Sequence, residues 1–513
     1  MEIDGGLAGR GAVGDCRGMD RTAFPFPAEW DAARTLASQQ SAALRALRLP
    51  PELGLACPAP QTAASPAAAA TFAIYPADPE PCWWGIRDIA EAYGSGTITP
   101  AALVDALIAR IDRLDPQLHS FIHLDRDGAR AAARDPHLPR GALYGVPVGI
   151  KDVIDVAGMA TTCHSRLRLG HIAAADAPVV AQLRSAGAII MGKLATHEFA
   201  IGGPSFDLPF PPARNPWHLA HHPGGSSSGA GAAVAAGLIP LAIGTDTAGS
   251  VRNPASACGI VGLKPTLGAI GTAGVFPLAW TLDHVGLLTR SAADAALACG
   301  ALMPVGAAPD ALRFGYVRHF HTDDLPADAE VAAALDRVAD ALGATPAVLP
   351  PLGDFALVNR VILQAEGWAV HADALRADAR QFAQRTRSAL LPGAFLDAED
   401  YLTARRMQAV LTRAVDAAFE RFDVLITASS MTPACRIDDE AAITTTYLQQ
   451  ARTVFNVTGH PALAMMAGLS SGGLPLSVQF AARRGEEAAL LAAAAQWEAL
   501  LGGPQRPPRV TAL

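Results

Sequence analysis

The sequence predicts an α/β layered fold in one large domain, and two observations carry that expectation. From Val146 onward, short β-branched runs alternate with Ala/Leu-rich stretches, the pattern of strands covered by helices. No composition shift forces a split along the 513 residues, although length by itself gives a prior of roughly three domains. A hydrophobic content of 50% against 17% charged residues excludes a disordered chain.

Read in order, residues 1–18 are glycine-rich without apolar periodicity and are expected to be disordered or an upstream start artefact, since Met19 precedes a more ordinary opening. Residues 19–82 hold a short helix from Trp30 to Leu47 and a Pro/Ala-rich linker from Pro58 to Pro81, too low in complexity to pack by itself. Folded sequence resumes at Trp83 and runs to Leu513. Ile86 to Ala92 reads as helix, and Thr99-Pro100 is an N-cap with proline at the first helical position, opening an amphipathic helix through Leu114.

Val148 to Ile150 and Val153 to Val156 read as strands, so Lys151 and Asp152 should point to opposite faces. Val179 to Ser185 is helical and Ala188 to Met191 a buried strand. Ser228 to Gly237 is a small-residue helix opened by a serine run, and Leu238 to Ile243 is a strand. Residues 305–445 carry long helices, notably Glu399 to Phe419, and Asp423 to Thr427 is another buried strand.

Charge and cysteine usage narrow the function classes. Forty basic against 48 acidic residues give a net charge of −8, with no basic cluster to neutralise phosphates, which argues against nucleic acid as the main partner. The seven cysteines (16, 57, 82, 163, 258, 299, 435) are odd in number and contain no C-x-x-C pair, so a reducing compartment is expected rather than a disulfide framework or zinc cage. The acidic N-terminus lacks a secretory pattern. The weakly polar stretch from Gly229 to Gly244 falls short of the roughly 20 residues that span a bilayer. A soluble cytoplasmic protein without a membrane partner is expected.

Three polar residues stand out: Lys151 in Gly145-Val-Pro-Val-Gly-Ile-Lys151, Ser226 in Gly224-Gly-Ser-Ser-Ser-Gly229, and Ser250 in Gly244-Thr-Asp-Thr-Ala-Gly-Ser250-Val-Arg252. Serine attacks a carbonyl only with a positioned base, and lysine is a base only when neutral. Lys151 lies in the apolar segment Val146 to Val156, where desolvation lowers a lysine pKa.

Other motifs compete. Gly225-Ser-Ser227-Ser-Gly229 matches a G-x-S-x-G elbow, a short pattern common in Gly/Ser loops. Gly187 to Lys193 imitates a phosphate-binding loop, but Leu194 stands where Mg²⁺ needs a hydroxyl, so strand and turn are expected. His218, His221 and His222 lie between Pro216 and Pro223, where a solvated loop is expected rather than a metal site.

The stretch from about Gly141 to Gly286, with a weaker match at Val454 to Glu498, resembles the amidase signature family. The resemblance rests on the three motifs above in their order, together with Cys258-Gly-Ile-Val-Gly-Leu-Lys264-Pro-Thr. It implies one α/β/α domain with a mixed twisted sheet of about 11 strands covered by helices. It also implies a Ser/cis-Ser/Lys triad, with Ser250 as nucleophile, Ser226 as bridging serine after a cis Gly225–Ser226 bond, and Lys151 as base.

Backbone N–H groups of Thr247, Ala248, Gly249 and Ser250 are then expected to hold the oxyanion, and Ser227, Asp246 and Arg252 to support the loops. Ala248 stands where many members have glycine, which puts substrate range in question. Ile201, Gly202, Phe276 and Trp280 are expected pocket residues, Trp280 as an apolar wall, and residues 305–445 are expected to shape specificity. No metal or cofactor is required by this chemistry. The leading expectation is a stand-alone amidohydrolase cleaving a small carboxamide, anilide or carbamate, with homodimers common among similar enzymes. The alternative is a glutamine-hydrolysing amidotransferase component working with partner chains. A catalytically silent scaffold is the third possibility, and the intact trio argues against it.

Overall fold

A computed structural model describes residues 24–47, 49, 72–73 and 78–508. The expectations for residues 1–18 and for most of the linker after Leu49 lie outside the described residues. The fold is one mixed 11-stranded sheet with helices on both faces, in the order β1-β3-β2-β4-β6-β5-β10-β11-β9-β7-β8. The strands are β1 Phe121–Leu124, β2 Pro147–Lys151, β3 Ile189–Leu194, β4 Leu241–Asp246, β5 Val261–Lys264, β6 His284–Thr289, β7 Phe314–Tyr316, β8 Thr345–Pro346, β9 Val424–Ala428, β10 Ala462–Leu469 and β11 Pro475–Ala482.

The central strands are apolar on both faces because helices cover both. β2, β3 and β4 are buried at every position. β2 pairs in parallel with β3 on one side and β4 on the other, with Ile150 beside Ile243. That register brings the carboxyl ends of β2 and β4, with Lys151 and Asp246, to one edge of the sheet, where ligands of α/β sheets collect.

Several expected boundaries shift for identifiable reasons. The helix opened by Thr99, whose Oγ1 accepts the Ala102 N–H at 3.2 Å, continues past Leu114 to Leu118 because both Leu114 and Leu118 face the core. Val153 to Val156 is a turn rather than a strand: the Val153 and Ile154 N–H groups donate back to Lys151 O at 2.8 and 3.0 Å, and Ile154 makes only one antiparallel bridge, to Val275. Leu238 closes the preceding helix by donating to Ala233 O at 2.9 Å, so β4 starts later than expected. It also extends through Gly244 and Thr245, which pair with Gly286 and Val285.

Lys193, in the stretch that imitates a phosphate loop, belongs to β3 and forms a fully buried ion pair with Asp152 at 2.9 Å. Its Nζ also donates to Thr161 Oγ1 at 3.0 Å, while Asp152 accepts from Thr162. This pair draws Asp152 inward and reverses the chain just after Lys151. The small-residue helix Ser228–Ala235 is buried along its whole length. Its Gly229 lies so close to the backbone flanking β1 and β3 that a Cβ would come within 2.2 Å of Ser120 O, so this position has to be small.

Residues 305–445 supply the helix Leu352–Asp378, which packs against the helix Ala398–Ala418. The N-terminal helix Pro27–Ala46 docks on the same layer through Trp30 against Phe395, ring centroids 4.9 Å apart, and through Glu29 to Arg387 at 2.9 Å. Among the described residues, no helix is long and apolar enough to cross a membrane.

Removing one partner of a buried ion pair leaves the other uncompensated, at a cost of about 3–5 kcal/mol. Lys193→Met is therefore expected to lower unfolding free energy by about that amount in urea titration. A loss below about 1 kcal/mol would mean that the pair does not hold the turn after Lys151.

Candidate active site

Lys151, at the end of β2, is fully buried, and its Nζ lies 2.7 Å from both Ser226 Oγ and Thr245 Oγ1. Burial lowers the Lys151 pKa to about 7, against the opposing attraction of Asp246 and Asp283. The Gly225–Ser226 peptide bond is cis. Ser226 and Ser250 line the same cavity, and the two serine loops are joined where the Ser227 N–H donates to Ser250 O at 3.1 Å. The Ser250 hydroxyl makes no hydrogen bond among the described residues, which leaves it free to turn toward the cavity.

Ser227, the candidate of the competing elbow motif, directs its hydroxyl to Thr245 O at 3.2 Å and is fully buried, away from the cavity. Its role is to fasten the loop to β4.

Asp246 organises the loop that carries Ser250. Its carboxylate accepts from the N–H groups of Gly249 at 2.8 Å and Val251 at 3.1 Å, from the Arg252 guanidinium at 2.8 and 3.0 Å, and from Asn456 Nδ2 at 2.8 Å. Burial opposes its ionisation, but Arg252 and these donors outweigh burial and hold its pKa well below the carboxylate range. Arg252 continues the network to Gln479 on β11 at 2.6 Å and to Arg452 O at 2.8 Å.

One expectation is corrected here. The Gly249 N–H, expected to help hold an oxyanion, is instead committed to Asp246, while Thr247, Ala248 and Ser250 line the cavity. Thr247 is fixed from both sides, its Oγ1 donating to Asp283 at 2.6 Å and its carbonyl accepting from Asn359 at 3.2 Å.

The cavity above the trio has a volume of about 580 Å³. Ile201 and Gly202 line it as expected, whereas Phe276 and Trp280 do not. Asp283 accepts from the Leu278 and Ala279 N–H groups at 2.9 and 3.1 Å, bending this segment so that Leu278 faces the cavity and Trp280 turns to solvent, 52% exposed. Phe276 packs instead on Phe199 and His371.

The histidine run is not wholly solvated. His218 and His221 are half-buried and touch each other, but His222 is buried, accepts the Gly224 N–H at 2.9 Å and meets Tyr447 Oη at 2.8 Å. Among the described residues, no three His, Cys, Asp or Glu side chains are grouped to hold a metal.

Sequence reasoning missed Thr245, Asp283, Asn359, Tyr447 and Arg452 as site residues. Thr245 stood inside the Gly244 to Arg252 motif. The others arrive from distant chain segments with no local signal.

Because a protonated amine cannot accept a proton, kcat/KM is expected to rise with pH through about 7 and level off above it, tracking loss of the Lys151 proton. A profile flat between about pH 5.5 and 9 would show that Lys151 is not the base.

Comparisons with known proteins bear on the family and the fold. Residues 102–491 match the Amidase family model. The glutamyl-tRNA(Gln) amidotransferase A subunit of Roseiflexus sp. (strain RS-1) is 35% identical, covering 79% of this chain and 94% of the relative. A structure described as part of a vestigial complex that reveals the origins of an s-triazine catabolic enzyme superposes with a TM-score of 0.75 at 30% identity, over 82% of this chain and 99% of the other. The structure of 6-aminohexanoate cyclic dimer hydrolase superposes with a TM-score of 0.75 at 29% identity, over 84% and 99%. Motif order, an 11-stranded mixed sheet and a family match across most of its length converge: the chain belongs to the amidase signature family, enzymes that act on C–N bonds.

Proposed function

We propose that the chain cleaves an amide C–N bond through an acyl-enzyme on Ser250. The observation that carries this reading is the 2.7 Å contact between fully buried Lys151 Nζ and Ser226 Oγ, at the floor of a cavity that Ser250 shares. Thr245 Oγ1 accepts one Nζ–H, so the lone pair of neutral Lys151 can face Ser226.

Lys151 takes the Ser226 proton as Ser226 takes that of Ser250, and Ser250 Oγ bonds to the carbonyl carbon. The oxyanion is held by the N–H groups of Thr247, Ala248 and Ser250. Collapse breaks the C–N bond, the departing nitrogen receives the proton back through Ser226, and water then hydrolyses the ester. Ser227, Asp246 and Arg252 act by holding the loops.

Two readings of the substrate are supported by different observations. The matched curated relatives are amidotransferase A subunits covered over nearly their whole length, which favours glutamine as the amide donor and partner chains as recipients of the ammonia. A stand-alone hydrolase of a small carboxamide, anilide or carbamate is favoured by the volume of the cavity, about 580 Å³, which exceeds the needs of a glutamine side chain, and by the likeness to 6-aminohexanoate cyclic dimer hydrolase.

A fluorophosphonate is expected to label wild-type protein and not Ser250→Ala, with turnover falling at least about a thousandfold. Labelling that survives the substitution removes Ser250 as nucleophile. Hydrolysis of glutamine beside a fatty amide, an aryl anilide and an aryl carbamate then separates the substrate readings: turnover of glutamine alone supports the amidotransferase component, and turnover of another member by the single chain supports the stand-alone enzyme.

A further inference from the structure

The cavity wall beside the Ser250 loop is built around a cation that the chemistry above does not use. Arg452 is fully buried yet lines the cavity. Its Nη1 is held by Ser429 O at 2.9 Å and Ser430 Oγ at 2.6 Å, while Nε and Nη2 have no hydrogen-bond partner. Among the described residues no carboxylate lies within ion-pair distance of it. A buried charge without a counter-ion costs several kcal/mol, so such a group calls for a ligand that completes it.

Its position fixes where that ligand lies. A Cβ added to Gly249, at φ +115°, would come within 2.6 Å of Arg452 Nε. The guanidinium therefore rests on the backbone of the residue immediately before Ser250. Burial, reinforced by the neighbouring charge of Arg252, lowers the Arg452 pKa to about 9, which still leaves it charged at neutral pH.

A second donor faces the same space. The Gly224 N–H donates to His222 Nδ1 at 2.9 Å, so neutral His222 carries its proton on Nε2 and donates to Tyr447 Oη at 2.8 Å. Burial, reinforced by Arg452 and Arg385, lowers the His222 pKa to about 3 and secures that neutral state. With its oxygen accepting from His222, Tyr447 keeps its own proton to donate. The acceptor that faces it among the described residues is His197 Nδ1, at a long 3.5 Å. Burial also raises the Tyr447 pKa, keeping the phenol protonated.

Arg360 and Arg385 line the cavity as well. The single carboxylate on the described lining, Glu440, is 86% exposed and 3.9 Å from Arg385.

We infer that Arg452 and Tyr447 form a subsite for a carboxylate on the substrate, so that the preferred amide is an anion whose carboxylate lies two or three carbons from the scissile carbonyl. This rests on the Ser250 acyl-enzyme reading and narrows its substrate class.

The test compares succinamate and glutaramate with the neutral isosteres succinamide and glutaramide. In the wild-type protein kcat/KM is expected to favour the anion by on the order of 10- to 100-fold, the usual worth of hydrogen bonds to a charged group. Arg452→Met is expected to collapse that ratio to about unity, Arg452→Lys to keep part of it, and Tyr447→Phe to reduce it. A wild-type ratio near unity, or a ratio unchanged in Arg452→Met, overturns the subsite.

If Arg452→Met fails to fold, the wild-type protein still decides. Succinate and glutarate should slow fluorophosphonate labelling of Ser250 at concentrations where the diamides do not, and equal protection by both overturns the inference. Labelling of Ser250 without any carboxylate preference sinks this subsite and leaves the acyl-enzyme standing. Absence of labelling sinks the acyl-enzyme itself, and the subsite with it.

Discussion

The buried ion pair between Asp246 and Arg252 is the constraint on which the site depends. The loop that carries Ser250 leaves the sheet at the end of β4 and must reverse before the helix Arg252–Cys258, with no side chains large enough to pack it. Asp246 replaces packing with charge: its two oxygens gather the Gly249 and Val251 N–H groups and the Nε–Nη2 edge of the Arg252 guanidinium. Charge-assisted bonds of this kind are short and directional, so the backbone around Ser250 is fixed before any substrate arrives. The arrangement also commits the Gly249 N–H to Asp246.

The same low-polarity interior that makes this pair strong makes Lys151 weakly basic. β2 is buried at all of its positions and its last residue is a lysine, so removal from water, more than any neighbour, brings its pKa to about 7. Parallel pairing of β2 with β4 then delivers that nitrogen to Thr245 and Ser226. Sheet register, desolvation and loop bracing are thus one construction that sets where Lys151, Ser226 and Ser250 stand.

Much of this was legible along the chain, and the exceptions have physical causes. Lys151, Ser226 and Ser250 were readable because each lies in a local glycine-rich or apolar motif whose spacing reports backbone geometry. The strand expected from Val153 to Val156 was not, because its apolar residues look like a buried strand. What turns them is a long-range ion pair between Asp152 and Lys193. Trp280 was expected to wall the pocket on size and hydrophobicity, yet the backbone bonds to Asp283 send it to solvent. The three histidines before Pro223 looked alike in sequence, and distant contacts, among them Tyr447 225 residues onward, hold His222 in the interior.

The sequence by itself determined the layer architecture and pointed to Lys151, Ser226 and Ser250 as the proposed catalytic trio, because strand and helix periodicity and glycine-serine turns are local properties of a chain. Only the tertiary structure decided the character of the cavity above Ser226 and Ser250. Arg452 sits some 200 residues beyond the serine loop it faces, and nothing near it in the sequence marks it as part of a site. It becomes one because β11 and the helix Thr453–Val457 bring its backbone against Arg252 and its guanidinium against Gly249. A buried cation acquires its meaning from what surrounds it in space, and that surrounding exists only once the sheet has closed.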